Sequence, residues 1–188
     1  MYCSLYIPPY GSPFYDDFND PVFELLENAL YNNGILRKFT ILNGDLNART
    51  GLDLDYIIQT NSIPELEEYV NILDGDLGIE RLSDDSKLNT YGKKLIDICK
   101  TYGLYIVNGR FGIDSKGYTF ISQQGCSTID YFIASKELIE YIEKFELLSQ
   151  PDSSHIPLYM QLNSFHSEQN INLTAKEQIY YKLDEDNK

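Results

Sequence analysis

What most restricts this chain is a series of strand-length apolar runs, each closed by turn residues, with few stretches of helical period between them. Tyr2–Ile7 alternates, with Cys3, Leu5 and Ile7 on one face and Tyr2, Ser4 and Tyr6 on the other, until Pro8-Pro9 ends it. Phe39–Leu42, Leu104–Val107, Tyr118–Ile121, Thr128–Ile133, Phe145–Leu148 and Ile156–Leu162 read as further strands. Helical spacing places Phe18, Val22, Leu25, Leu26, Ala29 and Leu30 on one face, with Asp20 as N-cap, Pro21 in the first position and Asn33-Gly34 as the stop. A second helix is predicted over Thr90–Tyr102, turning Tyr91, Leu95, Ile98, Cys99 and Tyr102 inward and ending at Gly103. Ser135 is placed to cap a short helix carrying Leu138, Ile139 and Ile142. Residues 50–87 are mostly loop. Strands outnumber helices and are joined by both hairpin-length and helical connections, so the class is α/β with a mixed sheet. The pattern fades near residue 165, which divides the chain into one domain, 1–165, and a polar tail or linker, 166–188.

The chain has 188 residues, 43% hydrophobic and 23% charged, the balance of a globular domain. Nowhere do about 18 apolar residues run together, so no membrane span is expected. Cys3, Cys99 and Cys126 are odd in number and widely spaced, which fits neither a disulfide framework nor a zinc site and suggests a reducing, intracellular setting. The net charge of −14 counts against binding nucleic acid through phosphate neutralisation. Residues 81–116 are the exception, with seven basic groups against four acidic. They read either as a solvated face or as a local backbone-phosphate contact.

Four places could carry chemistry. Gly44-Asp45-Leu46-Asn47-Ala48-Arg49 follows an apolar strand, so Asp45 falls at a carboxyl end, the usual mouth of an α/β site. Gly44 permits a tight turn and close approach of a ligand. Asp45 is a candidate general base or metal neighbour, and Asn47 offers both a donor and an acceptor. A turn Asp bonded to its own backbone explains the same hexapeptide. In Ser127–Ile133, alternation sets Asp130 on the face opposite Ile129, Tyr131 and Ile133. A carboxylate in an apolar strand is paired or functional, because unpaired burial is costly. His155 precedes an apolar strand, where it could lean on a carboxylate and stabilise a phosphate oxygen, or be a structural residue. Tyr6 puts a polar tip on the non-core face of its strand, or is core filler.

The order of these stretches resembles a known family. Leu5–Pro9, Ile41–Gly51, Arg81–Asp85 with Asn89–Gly92, and Leu95–Cys99 with Gly103-Leu104 come in its sequence. Val107–Arg110, Gly117–Phe120, Ser127–Tyr131 and Ser154–Leu158 complete it. Over residues 2–162 the chain resembles the later portion of an endonuclease/exonuclease/phosphatase domain, in particular the endonuclease domains of non-LTR retrotransposons. The resemblance implies a partial four-layer α/β sandwich, two mixed β-sheets flanked by helices. It implies magnesium-dependent phosphodiester hydrolysis of DNA, and with it a nuclear location. Asp45 would orient or deprotonate the attacking water, Asn47 and Tyr6 would contact the phosphate, and Asp130 would pair with His155, which stabilises the pentavalent phosphate.

Two departures stand out. The family's Ser-Asp-His motif reads Ser153-Ser154-His155 here, so an uncharged hydroxyl replaces a metal-site carboxylate. The family's earlier half, with an Asn and a metal-binding Glu, has no counterpart. The expectation is an incomplete magnesium site with Asp45 as a possible ligand, weak or no activity alone, and a second chain or segment that would supply the rest. Two alternatives stay open: a non-catalytic module, or a phosphoesterase acting on another substrate.

Overall fold

The structure is a computed structural model that describes residues 1–17, 22–33, 38–57, 77–149 and 152–163. Its elements are β1 (Tyr2–Tyr6), α1 (Phe14–Asp17), α2 (Val22–Asn32), β2 (Ile41–Asp45), α3 (Thr90–Tyr102), β3 (Leu104–Ile106), β4 (Phe120–Ser122), β5 (Gly125–Ser127), β6 (Asp130–Ser135), α4 (Lys136–Ile139), β7 (Ile142–Leu147) and β8 (Leu158–Leu162). Phe18, Asp20, Pro21, Gly34, residues 58–76 of the predicted loop and the tail 166–188 lie outside the described residues.

One sheet is mixed, in the order β1-β2-β6-β3: β1 runs parallel to β2, while β6 is antiparallel to both β2 and β3. Its two faces feed two cores. Leu42, Tyr131, Ile133, Leu104 and Ile106 meet Phe23, Leu26 and Leu30 of α2 and Leu95, Ile96, Ile98 and Cys99 of α3. On the opposite face Tyr105, Val107, Ala134, Ile41 and Phe132 meet Leu138, Ile139, Ile142, Phe145 and Met160. Among the described residues the second layer of strands is antiparallel, with hairpins β4-β5 and β7-β8. A bridge between Phe120 and His155 joins them, supported by Ile121 N–H to Ser154 O (2.8 Å) and Ile156 N–H to Thr119 O (2.7 Å). Among the described residues this makes three of the four expected layers: helices, mixed sheet, antiparallel sheet.

Helix α3 has the predicted bounds, fixed at both ends. The Asn89 side chain accepts Gly92 N–H at the start, and Gly103, at φ 63°, closes the end. Other expectations need correction. In α2 the buried set is Phe23, Leu26 and Leu30, while Leu25 and Ala29 face outward, so the apolar stripe is rotated from the predicted one. Phe39 lies before the strand and is exposed; β2 begins at Ile41 and continues through Asn43-Gly44-Asp45, which therefore is not a turn. Ser135 does not cap α4: its hydroxyl donates to Lys38 O (2.7 Å) and accepts Thr40 N–H (3.2 Å), stitching β6 to the entry of β2. Ile142 opens β7 instead of closing a helix.

Candidate active site

The mixed sheet builds the site by register. Tyr6 of β1 sits opposite Asp45 of β2, and Asp45 opposite Asp130 of β6. Directly opposed side chains share one face, so a tyrosine and two carboxylates form a row across three strands. His155 reaches the row from the second sheet. Its Nδ1 lies 3.1 Å from each oxygen of Asp130, and its ring packs edge-on against Phe120, with centroids 4.9 Å apart. One ligand atom from each of Asp45, Asp130 and His155 falls within 4.8 Å of the others. Four side chains separated by up to 149 positions thus converge on one patch. They face a cleft of about 550 Å³ lined by Tyr6, Asp45, Asn47 and His155, while Asp130 lines an adjoining hollow beside His155.

The loop after β2 is held from several sides. Asn47 has φ 47°, the sole left-handed non-glycine among the described residues, a conformation that Asn tolerates. Its N–H donates to Asp45 Oδ1 (3.0 Å) and its Nδ2 to Ile7 O (2.8 Å). The Asp bonded to its own backbone is thus the one that stands opposite Asp130 and lines the cleft. Asn89 accepts Arg49 N–H (3.0 Å) and donates to Asn47 O (3.0 Å), so the N-cap of α3 also fixes the loop. Tyr131, buried beneath, donates to Ala48 O (2.7 Å) or Thr128 O (2.8 Å), and burial pushes its phenol up to about 12.

Sequence reading missed three supports of the site. Thr119 is wholly buried; its Oγ1 accepts both Ile129 N–H and Asp130 N–H at 2.9 Å, and the hydroxyl also supports the Asp130 carboxylate. Asn108 clasps the backbone of β6 on either side, donating to Asp130 O (3.1 Å) and accepting Phe132 N–H (3.0 Å). Asp85 holds Arg49 in a bidentate pair (2.8 and 2.6 Å) and accepts Thr128 N–H (3.0 Å). Burial alone would raise the Asp85 carboxyl; Arg49 and the N–H groups of Thr128 and Lys87 overcome it and hold the group below its ordinary value. None of the three carries a local signal, whereas Asn89 does, as the polar residue just before a helical run.

Three of the seven cations in the basic stretch 81–116 are engaged within the fold, while Lys87, Lys93 and Lys94 stay exposed. Arg110 is buried against Asp55, Lys116 pairs with Asp84 (3.0 Å), and Arg81 donates to Thr50 Oγ1 (3.2 Å) and Asp53 O (2.6 Å). Ser154 is exposed with its carbonyl in the bridge to β4, and Asp152 is exposed and outside the Asp45–Asp130–His155 group among the described residues.

Burial raises the carboxyl of Asp45, the Asn47 N–H opposes this, and the neighbouring Asp130 adds to the rise. Burial likewise raises Asp130, against the pull of Thr119 and His155. A raised native value contributes stability that is fully present below the unfolded value and is lost as pH rises through the native one. At neutral pH the Asp45 charge therefore holds the fold below its maximum. Asp45→Asn is expected to unfold at higher urea concentration than the parent at pH 7, with the gain shrinking as pH falls toward about 4. A loss of stability at pH 7 would show that Asp45 is a structural support.

The helix-flanked mixed sheet packed on a second sheet is a fold with solved counterparts. The endonuclease domain of TRAS1, a telomere-specific non-LTR retrotransposon, shares it at a TM-score of 0.51 and 15% identity, over 84% of this chain and 52% of that one. The 3'-5' exonuclease NExo from Neisseria meningitidis matches at a TM-score of 0.48 and 14% identity, over 86% of this chain and 60% of that one. The chain thus spans a little over half the length of these solved structures. No protein-family model and no curated protein matches it.

Proposed function

We propose that the chain carries a phosphodiester hydrolase site of the DNA endonuclease type, and that the chain alone turns over slowly. The convergence of Tyr6, Asp45, Asp130 and His155 supports this reading. Asp45 Oδ1 is taken by Asn47 N–H, which leaves Oδ2 to orient and deprotonate a water. With Nδ1 on Asp130, His155 keeps its other ring nitrogen for a phosphate oxygen. The exposed Tyr6 hydroxyl and the Asn47 amide are the remaining phosphate contacts.

Magnesium takes oxygen ligands, keeps several waters and is often held through one or two carboxylates plus substrate phosphate. The donor set fits that mode at its minimum. Asp45 would hold the ion, and Asp130 would contribute only at the expense of His155, which faces both its oxygens. Bound there, magnesium would neutralise charge on the phosphate. The thin ligand set and the neutral Ser154 argue for slow turnover.

The net charge of −14 favours a second reading, a non-catalytic module with a basic partner. Nicking of supercoiled plasmid across a magnesium series separates the two. The expected result is slow, magnesium-dependent nicking, lost in Asp45→Ala and in His155→Ala. Fast cleavage would overturn the slow-turnover claim, cleavage surviving both substitutions would overturn the site, and none at any magnesium level would leave the non-catalytic reading.

A further inference from the structure

The cleft beside the phosphate row has an aromatic wall. Tyr6, Tyr10, Tyr91 and Phe120 line it together with Asp45, Asn47 and His155. Tyr10 is 85% exposed, yet it is not loose. Its ring meets Tyr91 nearly edge-on, at 6.2 Å and 79°, and Tyr91 packs on Phe23 at 5.1 Å. Tyr91 OH donates to Tyr15 OH (2.9 Å), which donates to Pro8 O (2.8 Å), bracing the backbone two residues before Tyr10. An edge-on contact leaves ring face open to solvent, and an open aromatic face next to a phosphate site is a stacking platform.

The charges of the cleft say what could use it. Among the described lining residues Arg49 is the one permanently charged cation, and its guanidinium is already bidentate on Asp85. A strand entering here gains little from phosphate neutralisation, so its hold has to come from its bases. A duplex keeps its base faces stacked on one another, whereas a single strand can offer them to the wall.

We propose that the cleft seats an unstacked nucleobase of a single strand beside the phosphate site, with Tyr10 as the stacking surface. The proposal rests on the phosphodiesterase reading for the strand's phosphate, but it is tested by binding alone.

Fluorescence anisotropy of labelled oligodeoxyadenylate of about ten nucleotides, a length typical of single-strand sites, is measured in EDTA so that cleavage plays no part. Tyr10→Ala is expected to weaken binding about 5- to 100-fold and Tyr10→Trp to preserve it. An abasic strand of equal length and a blunt duplex should both bind more weakly than the single strand. The salt dependence should match neutralisation of no more than about one phosphate. Unchanged binding by Tyr10→Ala, equal binding of the abasic strand, tighter binding of the duplex, or no binding of the single strand would each overturn the proposal. None of these outcomes depends on plasmid nicking, so the two readings can fail separately.

Discussion

Arg110→Ala or Asp55→Ala is expected to cost about 3–5 kcal/mol of folding stability, the range for leaving one member of a buried pair alone. Both side chains are 1% exposed, and the fork is bidentate at 2.8 Å on both arms. More than a charge pair is at stake. Among the described residues β3 is the last strand of the mixed sheet, and Ile106 turns its N–H and C=O away from β6. Asp55 Oδ2 accepts that N–H at 2.7 Å, and Arg110 Nη1 donates to that carbonyl. The pair therefore closes an open sheet edge that would otherwise bury two unpaired backbone groups. Replacing both residues by leucine should recover only part of the loss, because each orphaned group still costs about 1–3 kcal/mol. Total stability for a domain is about 5–15 kcal/mol, so either single variant sits near the unfolding threshold. Urea denaturation followed by circular dichroism reads the effect. A loss below about 1 kcal/mol in both single variants would mean that water reaches this edge.

Gly44→Ala should cost about 3 kcal/mol or more and free β1 from the sheet. A Cβ at this position would lie 1.9 Å from Leu5 O and 2.9 Å from Leu5 C, both backbone atoms that cannot swing aside. The residue also has φ 134°, where a side chain is strained by about 1–3 kcal/mol, with overpacking adding about 1–3 kcal/mol more. The glycine before Asp45 thus serves the approach of two strands. Because Tyr6 and Asp45 face each other only while β1 is docked, this variant should also lose any Tyr6-dependent activity. Hydrogen exchange provides the check, with protection vanishing across residues 2–6 while α3 stays protected. Retained protection in β1 would show that the sheet absorbs the methyl group by sliding.

The sequence made some of this legible for clear reasons. Alternation put Asp130 opposite Tyr131 and Tyr6 opposite Leu5, and both faces are as read because a period of two leaves no other choice. Helix α3 ends at Gly103 as read, because a left-handed glycine is a local signal. What brings Tyr6, Asp45 and Asp130 into one row is register between strands far apart in the chain, and no local pattern records that. The α2 stripe was misplaced because Leu25 and Ala29 are apolar yet outward while Phe23 is buried, so hydropathy alone turned the face. Arg81 and Arg110 could not be told from the exposed lysines of 81–116 because their partners, Thr50 and Asp55, lie in another segment. Thr119 and Asn108 act through backbone groups of β6, a role that residue type does not reveal.

The most direct test of the proposed phosphate site is manganese as a paramagnetic stand-in for magnesium in an amide NMR spectrum. Broadening should begin, at the lowest manganese, at the amides of Tyr6, Asp45, Leu46, Asp130 and His155, and should disappear there in Asp45→Ala. Broadening that starts at acidic residues elsewhere and is unchanged by Asp45→Ala would mean that these side chains share a surface without forming a site.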